Sequence, residues 1–172
     1  MKLHRYDLED LENPYLTISE HIELDDQSYI EHERYSDMKD IYVSGHGFYD
    51  SKSNEFIVGL DITCSVTVPC AISLVPIEID IETKLSETFM FEDNDLLEED
   101  EDLILVEGLE IDLWPFIWSA ILAEIPIKVV DPELETYPSG DGWRVLTEED
   151  YTKEKEETLD PRLAKLKQFK FD

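Results

Sequence analysis

The chain has 172 residues, of which 42% are hydrophobic and 33% are charged, and its formal net charge at pH 7 is −29. A chain of this length can bury a core without disulfides or metals, and its hydrophobic content excludes a disordered protein. Its 43 acids against 14 bases argue against nonspecific binding to phosphate backbones or anionic lipids. The charge balance instead favours basic proteins as partners.

The first forty residues are weakly patterned. The opening MKLHRYDLEDLEN lacks the apolar segment of a secretory signal, and the chain has only two cysteines, so we expect a cytoplasmic protein. TISEHIEL, residues 17–24, is compatible with a strand. SYIEHERYSDMKD, which follows, is typical of either a polar connection or a marginal helix.

From residue 41 onward the pattern favours β-structure. FIVGLDITCSVTVPC, residues 56–70, alternates apolar and polar residues with a period of two, which predicts a hairpin strand with one buried face. PIEIDIETKL sets isoleucines opposite acids, and it predicts a second strand that pairs antiparallel with the first through CAISLVP. LILVEGLEIDL predicts one or two short strands that break near Gly108.

DLWPFIWSAILAEIP predicts a buried helix. Its uncharged run is well short of the roughly 20 apolar residues that a membrane-spanning helix needs. Asp112 is the expected N-cap, Pro115 falls in the first turn, and Pro126 ends the helix. Apolar residues cover more than one side of this helix, which predicts burial on more than one side. Because Trp114 and Trp118 could cover a groove or a subunit contact, the oligomeric state stays open.

Two charged segments are candidates for contact with a partner. Residues 92–102 hold eight acids in eleven residues, which is typical of a solvated loop that can face a basic partner. Residues 161–171 form a basic amphipathic segment without an acid, which can touch RNA, touch an acidic partner or pack against the acidic body of the same chain. The candidate partner-binding residues are Glu98, Glu99, Asp100, Glu101, Asp102, Arg162, Lys165, Lys167 and Lys170.

Together these elements predict an α+β fold with an antiparallel sheet, arranged as a hairpin, a meander or a barrel-like sheet, and a buried helix packed on it. Residues 139–142 indicate a turn, and Thr147 with Asp150 resembles a capping box for a short charged helix. Pro161 begins a further short helix. We assign residues 1–146 to one domain and residues 147–172 to a C-terminal helical extension, and leave its mobility open.

Motifs of the common catalytic classes are absent from the sequence. It contains no GxSxG, GxGxxG or GxxxxGK[ST], so we predict no catalytic residue and no cofactor. Cys64 and Cys70 lack the CxxC spacing and are expected to be core thiols. The histidines show no ligand spacing, which favours surface or structural roles. They are His4, His21, His32 and His46, the last between two glycines.

Three separated stretches resemble the bacterial YceD family of large ribosomal RNA subunit accumulation proteins, in the form found in Firmicutes. VPCAISLVP is similar to the family's LPCxRCL segment, and EGLEIDLWPFIWSAILAEIPIKV is similar to its IDL…LP helix. GWRVLTEEDY with DPRLAKLKQF is similar to the C-terminal ending of the family. The resemblance covers about residues 41–171.

Two departures limit what the resemblance implies. Where many members read Cys-x-Arg-Cys, this chain has Cys70, Ala71, Ile72 and Ser73. The cysteine cluster that many members carry after the helix is also missing. A zinc-knuckle role therefore does not transfer to this chain, and no metal site is predicted.

Membership in the family implies a part in the accumulation of 23S rRNA and in assembly of the large ribosomal subunit, with no inherited catalytic residue. Since each phosphate contact needs a Lys or Arg, the acidic body is expected to bind a basic ribosomal protein or assembly factor, and to reach rRNA indirectly or through the basic C-terminal helix. The alternatives are a metal-dependent nuclease acting on precursor rRNA, with the acidic run as ligands, and an acidic scaffold unrelated to RNA.

Overall fold

The computed structural model describes residues 1–24, 32–91, 103–134 and 136–157, and the chain divides into two units, Met1–Val129 and Val130–Asp172. The division lies upstream of the boundary at residue 146 that the sequence suggests. That boundary, as the start of a separate extension, stays a prediction.

The first unit is built on a five-stranded sheet whose order is β2-β3-β4-β5-β6. Its strands are β2 (Tyr15–Ile22), β3 (Asp37–Asp50), β4 (Glu55–Pro69), β5 (Pro76–Phe91) and β6 (Leu103–Val106). Strands β2 to β5 form an antiparallel meander, whereas β6 lies parallel to the end of β5. The α+β prediction is confirmed. Over the residues that the structure describes, the sheet is open rather than barrel-like, because β2 and β6 stand at its two edges.

The alternating pattern of residues 56–70 produces one buried face, as predicted. On β4, apolar side chains with at most 4% exposure point into the core and polar ones point away. The buried set is Phe56, Val58, Leu60, Ile62, Cys64, Val66 and Val68. On β3 the alternation slips by one residue at a β-bulge between Lys39 and Tyr42, where Asp40 has φ +53°. Because of the bulge, Met38 and Ile41 both face the core.

The predicted buried helix is α2, Trp114–Glu124, and it packs against β5. Its N-cap is Leu113, not Asp112 as the sequence suggests. The Asp112 carboxylate still accepts a hydrogen bond from the Trp114 N–H at 3.0 Å, so it caps the helix from one residue earlier. Pro115 lies in the first turn, and Pro126 follows the C-cap residue. Side chains on several sides of α2 are buried or half-buried, which confirms the broad apolar surface.

The N-terminal residues form a short strand and a short helix that the sequence pattern does not predict. Strand β1 (Lys2–His4) pairs antiparallel with β7 (Glu110–Asp112), and α1 (Arg5–Glu9) follows β1. The Leu113 N–H donates to the Met1 carbonyl at 2.9 Å. The start of the chain therefore stabilises the entry into α2. The short strands predicted around Gly108 are confirmed as β6 and β7.

The second unit contains a small hairpin and a charged helix. Strands β8 (Ser139–Gly140) and β9 (Trp143–Arg144) enclose a turn in which Gly142 has φ +81°, a conformation that favours glycine. Helix α3 (Glu148–Glu157) begins after Thr147, whose hydroxyl accepts from the Asp150 N–H at 3.0 Å. Both the turn and the cap are confirmed. The predicted helix over 161–171 lies outside the described residues.

The helices α1, α2 and α3 lie within the part of the chain that the structure describes. None of these helices is both long and apolar enough to span a bilayer.

Candidate protein-binding surface

The outer face of the β4–β5 hairpin carries charged side chains in register. Across the two strands, Asp61 lies opposite Lys84, Thr63 opposite Glu82, and Ser65 opposite Asp80. Glu78 follows on β5, and all four carboxylates are exposed. We call Asp61, Glu78, Asp80 and Glu82 the acidic face. Its acids share one side because they alternate with buried or half-buried residues along the strands.

Two lysines neutralise part of the acidic face. Lys84 Nζ lies 2.8 Å from an Asp61 carboxylate oxygen, and Lys39 Nζ lies 2.5 Å from one of Glu78. In each pair the hydrogen bond to the carboxylate, and then its charge, raise the pKa of the lysine. The Ser65 hydroxyl donates to Asp80 at 2.9 Å. Neither Asp80 nor Glu82 has a Lys or Arg partner among the described residues, so the face keeps a net negative charge.

Several other cations of the first unit are held in local contacts. Lys2 Nζ lies 2.6 Å from Glu110, and this pairing raises the lysine pKa and lowers the Glu110 pKa. Arg5 pairs with Glu9 at 2.8 Å. Arg34 donates to the carbonyls of Leu122 and Ile125 at the end of α2. These cations support the fold and do not form a basic patch that could bind phosphates.

The opposite end of the same sheet face is apolar. Tyr15 is 65% exposed, Ile57 44% and Leu105 42%, and register places half-buried Phe48 between Tyr15 and Ile57. The Tyr15 and Phe48 ring centroids are 5.0 Å apart. Met90 lies opposite Leu105. The outer face therefore joins an apolar end to an acidic end, a combination suited to contact with another protein.

Two of the three stretches that carry the family resemblance meet beside the hairpin turn: VPCAISLVP and the segment that follows α2, at the end of EGLEIDLWPFIWSAILAEIPIKV. The Ala71 N–H donates to the Val129 carbonyl at 2.7 Å, and fully buried Cys70 donates its N–H to Val75. A cleft of about 260 Å³ opens between them. Leu74, with φ +61°, is 75% exposed and Ile127 is 98% exposed. These contacts give the two stretches a structural role and leave three apolar side chains, Leu74, Val75 and Ile127, on the surface.

The sequence pattern does not predict the role of residues 32–36, which support the place where these two stretches meet. Tyr35 is 2% exposed, and its hydroxyl accepts a hydrogen bond from Trp118 Nε1 at 2.9 Å. Burial is the main cause that raises the Tyr35 pKa. His32 stacks on Tyr35 and meets Trp118 edge-on. The signal was present as two rings in HERYS, but their charged neighbours suggested a polar connection.

Cys64 and Cys70 are both buried, as predicted for core thiols. Burial raises the pKa of the Cys64 thiol to about 11. At neutral pH this thiol is protonated, which makes it a poor nucleophile and a poor metal ligand.

The histidines are spread over separate parts of the first unit. His21 and His46 are exposed on β2 and β3, and His4 accepts a hydrogen bond from the Tyr6 N–H at 3.4 Å. Over the described ranges, no three His, Cys, Asp or Glu side chains come close enough together to hold a metal ion.

The predicted partner-binding residues all lie outside the described residues, so their role stays a prediction. They are Glu98, Glu99, Asp100, Glu101, Asp102, Arg162, Lys165, Lys167 and Lys170. In the sequence, three acids of the acidic face form the polar side of PIEIDIETKL, and Asp61 lies on the polar side of FIVGLDITCSVTVPC. Neither pattern by itself indicates a contact surface.

Comparison with known proteins assigns the chain to a family. Residues 58–170 match the family described as large ribosomal RNA subunit accumulation protein YceD. The chain belongs to the YceD family. It is also 34% identical to the uncharacterized protein YlbN of Bacillus subtilis (strain 168) over 124 residues, which is 70% of this chain and 69% of that protein. No solved structure matches the chain.

The YceD match begins inside β4 and therefore takes in β5, α2 and the second unit. The whole acidic face falls within the YceD match. Cys70 and Pro126, which lie in the two stretches that meet beside the hairpin turn, fall within it as well. Strands β1 to β3 precede it. The part of the chain that carries the family signature is thus also the part that presents the acidic face.

Proposed function

We propose that this YceD-family chain is a cytoplasmic, non-enzymatic factor that supports 23S rRNA accumulation and assembly of the large ribosomal subunit. The family match over residues 58–170 carries the proposal, because that family is named for accumulation of the large ribosomal RNA subunit. The proposal concerns binding rather than catalysis. No catalytic motif in the sequence supports the alternative of a metal-dependent nuclease acting on precursor rRNA.

The direct partner in this proposal is a basic ribosomal protein or a basic assembly factor. Phosphate contacts require Lys or Arg side chains that release counterions, and the net charge of −29 opposes such contacts. The same charge attracts a basic protein and screens it until it reaches rRNA. The exposed acids without a described Lys or Arg partner, Asp80 and Glu82, support this direction of attraction.

Contact with rRNA then follows indirectly, or through the basic C-terminal segment. That segment carries Arg162, Lys165, Lys167 and Lys170 without an acid among residues 161–171. Four cations give a small phosphate contact, whose affinity falls steeply as salt rises.

A tagged pull-down of the full chain at low salt tests the proposal. Proteins and RNA in the eluate are identified separately, and the pull-down is repeated at rising salt. We expect basic large-subunit proteins or assembly factors to be enriched and to dissociate as salt screens the contact. Recovery of ribosomal RNA alone, or of no ribosomal component, would contradict the proposal. A precursor rRNA transcript incubated with the chain and Mg²⁺ or Mn²⁺ should remain intact.

The acidic run gives a first prediction about where the partner binds. Replacing Glu98, Glu99, Asp100, Glu101 and Asp102 with their amides removes five negative charges from residues 92–102. Because like-sign charge clusters raise the local concentration of a cationic partner, we expect affinity for the recovered basic protein to fall about tenfold at low salt. A binding titration at two salt concentrations measures it. Unchanged affinity would exclude the acidic run as the contact.

A further inference from the structure

Strand β5 presents a long open edge. It pairs with β4 from Pro69↔Pro76 to Glu55↔Met90, but β6 covers only its last residues, Thr88 to Phe91. Among the residues that the structure describes, no strand pairs with the rest of that edge. The uncovered portion, residues 76–87, is about 40 Å long at roughly 3.3 Å per residue. An edge of this length is a template for another strand.

The register identifies the backbone groups that face this edge. The Cys70 N–H donates to the Val75 carbonyl at 2.8 Å, and at the other end the Phe91 N–H donates to the Asn54 carbonyl at 3.0 Å. The register between these two bonds is unbroken, so the odd-numbered residues of β5 bond to β4. The even-numbered residues direct their N–H and C=O groups away from β4. They are Glu78, Asp80, Glu82, Lys84 and Ser86, and all five are exposed.

Charge decides which strand this edge can accept. A second copy of the chain would bring an equally acidic edge against Glu78, Asp80 and Glu82, and like charges directly opposite are destabilising. A basic strand would place Lys or Arg side chains beside the same carboxylates. On the other side of β5, Ile77 and Ile79 are only half-buried, and they offer apolar contact to alternate residues of an added strand.

We propose that the open edge of β5 binds a basic, extended segment of a partner protein by strand addition. The segment alternates basic with apolar residues, and its backbone bonds to Glu78, Asp80, Glu82, Lys84 and Ser86. Main-chain hydrogen bonds supply part of the affinity, and the acids select a cationic strand. The inference deepens the proposed function and rests on its basic protein partner.

Amide hydrogen exchange followed by NMR on the full chain tests strand addition without any mutation. The probe is a ten-residue peptide that alternates lysine and valine, with blocked ends. Its control alternates lysine and proline, which has the same charge but no N–H at alternate positions. At saturating lysine–valine peptide we expect exchange at the even-numbered amides of β5 to slow about tenfold, since they become hydrogen-bonded. The odd-numbered amides, already bonded to β4, should change little.

Each other outcome of the exchange experiment overturns the inference. Equal protection by the lysine–proline peptide would show attraction by charge alone. Protection of the even-numbered amides in the free protein at low concentration would show that the chain covers its own edge. Protection that grows with protein concentration would identify a second copy as the occupant. Protection at β2 and not β5 would place the strand at the wrong edge.

A pair of variants extends the test to the natural partner. Glu82→Pro removes an outward N–H that β4 does not use, and an edge strand tolerates proline there. Glu82→Ala removes the same charge and keeps the N–H. We expect Glu82→Pro to bind the basic protein recovered from the pull-down at least about fivefold more weakly than Glu82→Ala. Circular dichroism checks that both variants keep their sheet.

The two proposals fail in different ways. If a basic ribosomal protein is recovered but binds Glu82→Pro and Glu82→Ala equally, the strand-addition proposal is wrong and the proposed function stands. If no basic protein is recovered, the proposed function fails. The peptide experiment then still decides whether the edge accepts a basic strand.

Discussion

The inner face of the β4–β5 hairpin packs in the core and the outer face carries charge, although the residues of the two faces alternate along the same strands. Ile62, at 1% exposure, faces the core, and its neighbour Thr63 is exposed on the outer face. The inner residues contribute burial, which at about 25 cal/mol per Å² is the main source of stability. The outer residues contribute little burial and can carry charge. Stability and partner binding should therefore respond to different substitutions on one strand.

Among substitutions that separate the two faces, the largest expected effect is the loss of stability caused by a change on the inner face. Ile62→Ala removes buried methyl groups and leaves a cavity, so we expect the free energy of unfolding to fall by about 2–4 kcal/mol. Thr63→Ala is the matched control on the outer face, with an expected loss below about 1 kcal/mol. Urea unfolding followed by tryptophan fluorescence measures both variants. Similar losses for the two would mean that the faces are not divided as described.

Much of this division could be predicted from the sequence, because the pleat of a strand makes period-two patterns report directly on which face is buried. Val58 to Val68 alternate without interruption, and the buried and exposed faces follow from that pattern. The parallel pairing of β6 with β5 and the antiparallel pairing of β1 with β7 could not be predicted, since periodicity states which side of a strand is buried and not which strand lies beside it. The bulge at Asp40 likewise depends on the partner strand.

The site was less predictable than the fold for a related reason. Charge density along the sequence indicates the acidic run of residues 92–102 as a contact, because its acids are clustered in sequence. The acidic face is assembled from acids spaced two apart on β5 and from Asp61 on β4, so it exists only once the strands pair. Likewise, the partner that the buried Tyr35 hydroxyl meets, Trp118 Nε1, comes from far along the chain, so the contact exists only in the folded protein.

Thiol chemistry gives a second way to test the division of faces. Burial raises the Cys64 pKa to about 11, whereas a cysteine placed at exposed Ser86 should keep an ordinary pKa. At pH 8, below both pKa values, the Cys64 thiol is thiolate about a hundredfold less often than an ordinary exposed cysteine, and its burial also limits access by the reagent. Ser86→Cys should therefore react with iodoacetamide at least about a hundredfold faster than Cys64 at pH 8. Mass spectrometry of the labelled peptides separates the sites. In denaturant the difference should vanish, and its persistence there would exclude burial as the cause.

The smallest effect in free energy is expected on the outer face itself, where it bears on function. Asp80→Asn with Glu82→Gln removes two exposed acids that have no described Lys or Arg partner, and we expect affinity for the lysine–valine peptide to fall about three- to tenfold at low salt. Asp10→Asn with Glu12→Gln removes the same charge from exposed positions outside the sheet and is the matched control.

Neither pair should change the unfolding midpoint appreciably, because exposed charges contribute little to stability. Fluorescence anisotropy of a labelled peptide measures both pairs. If the two weaken binding equally, only the net charge attracts the peptide, and the acidic face has no role of its own. If only Asp80→Asn with Glu82→Gln weakens peptide binding, the contact is local to β5. Added salt should then reduce the difference in affinity between the two pairs, because salt screens the exposed carboxylates that cause the difference.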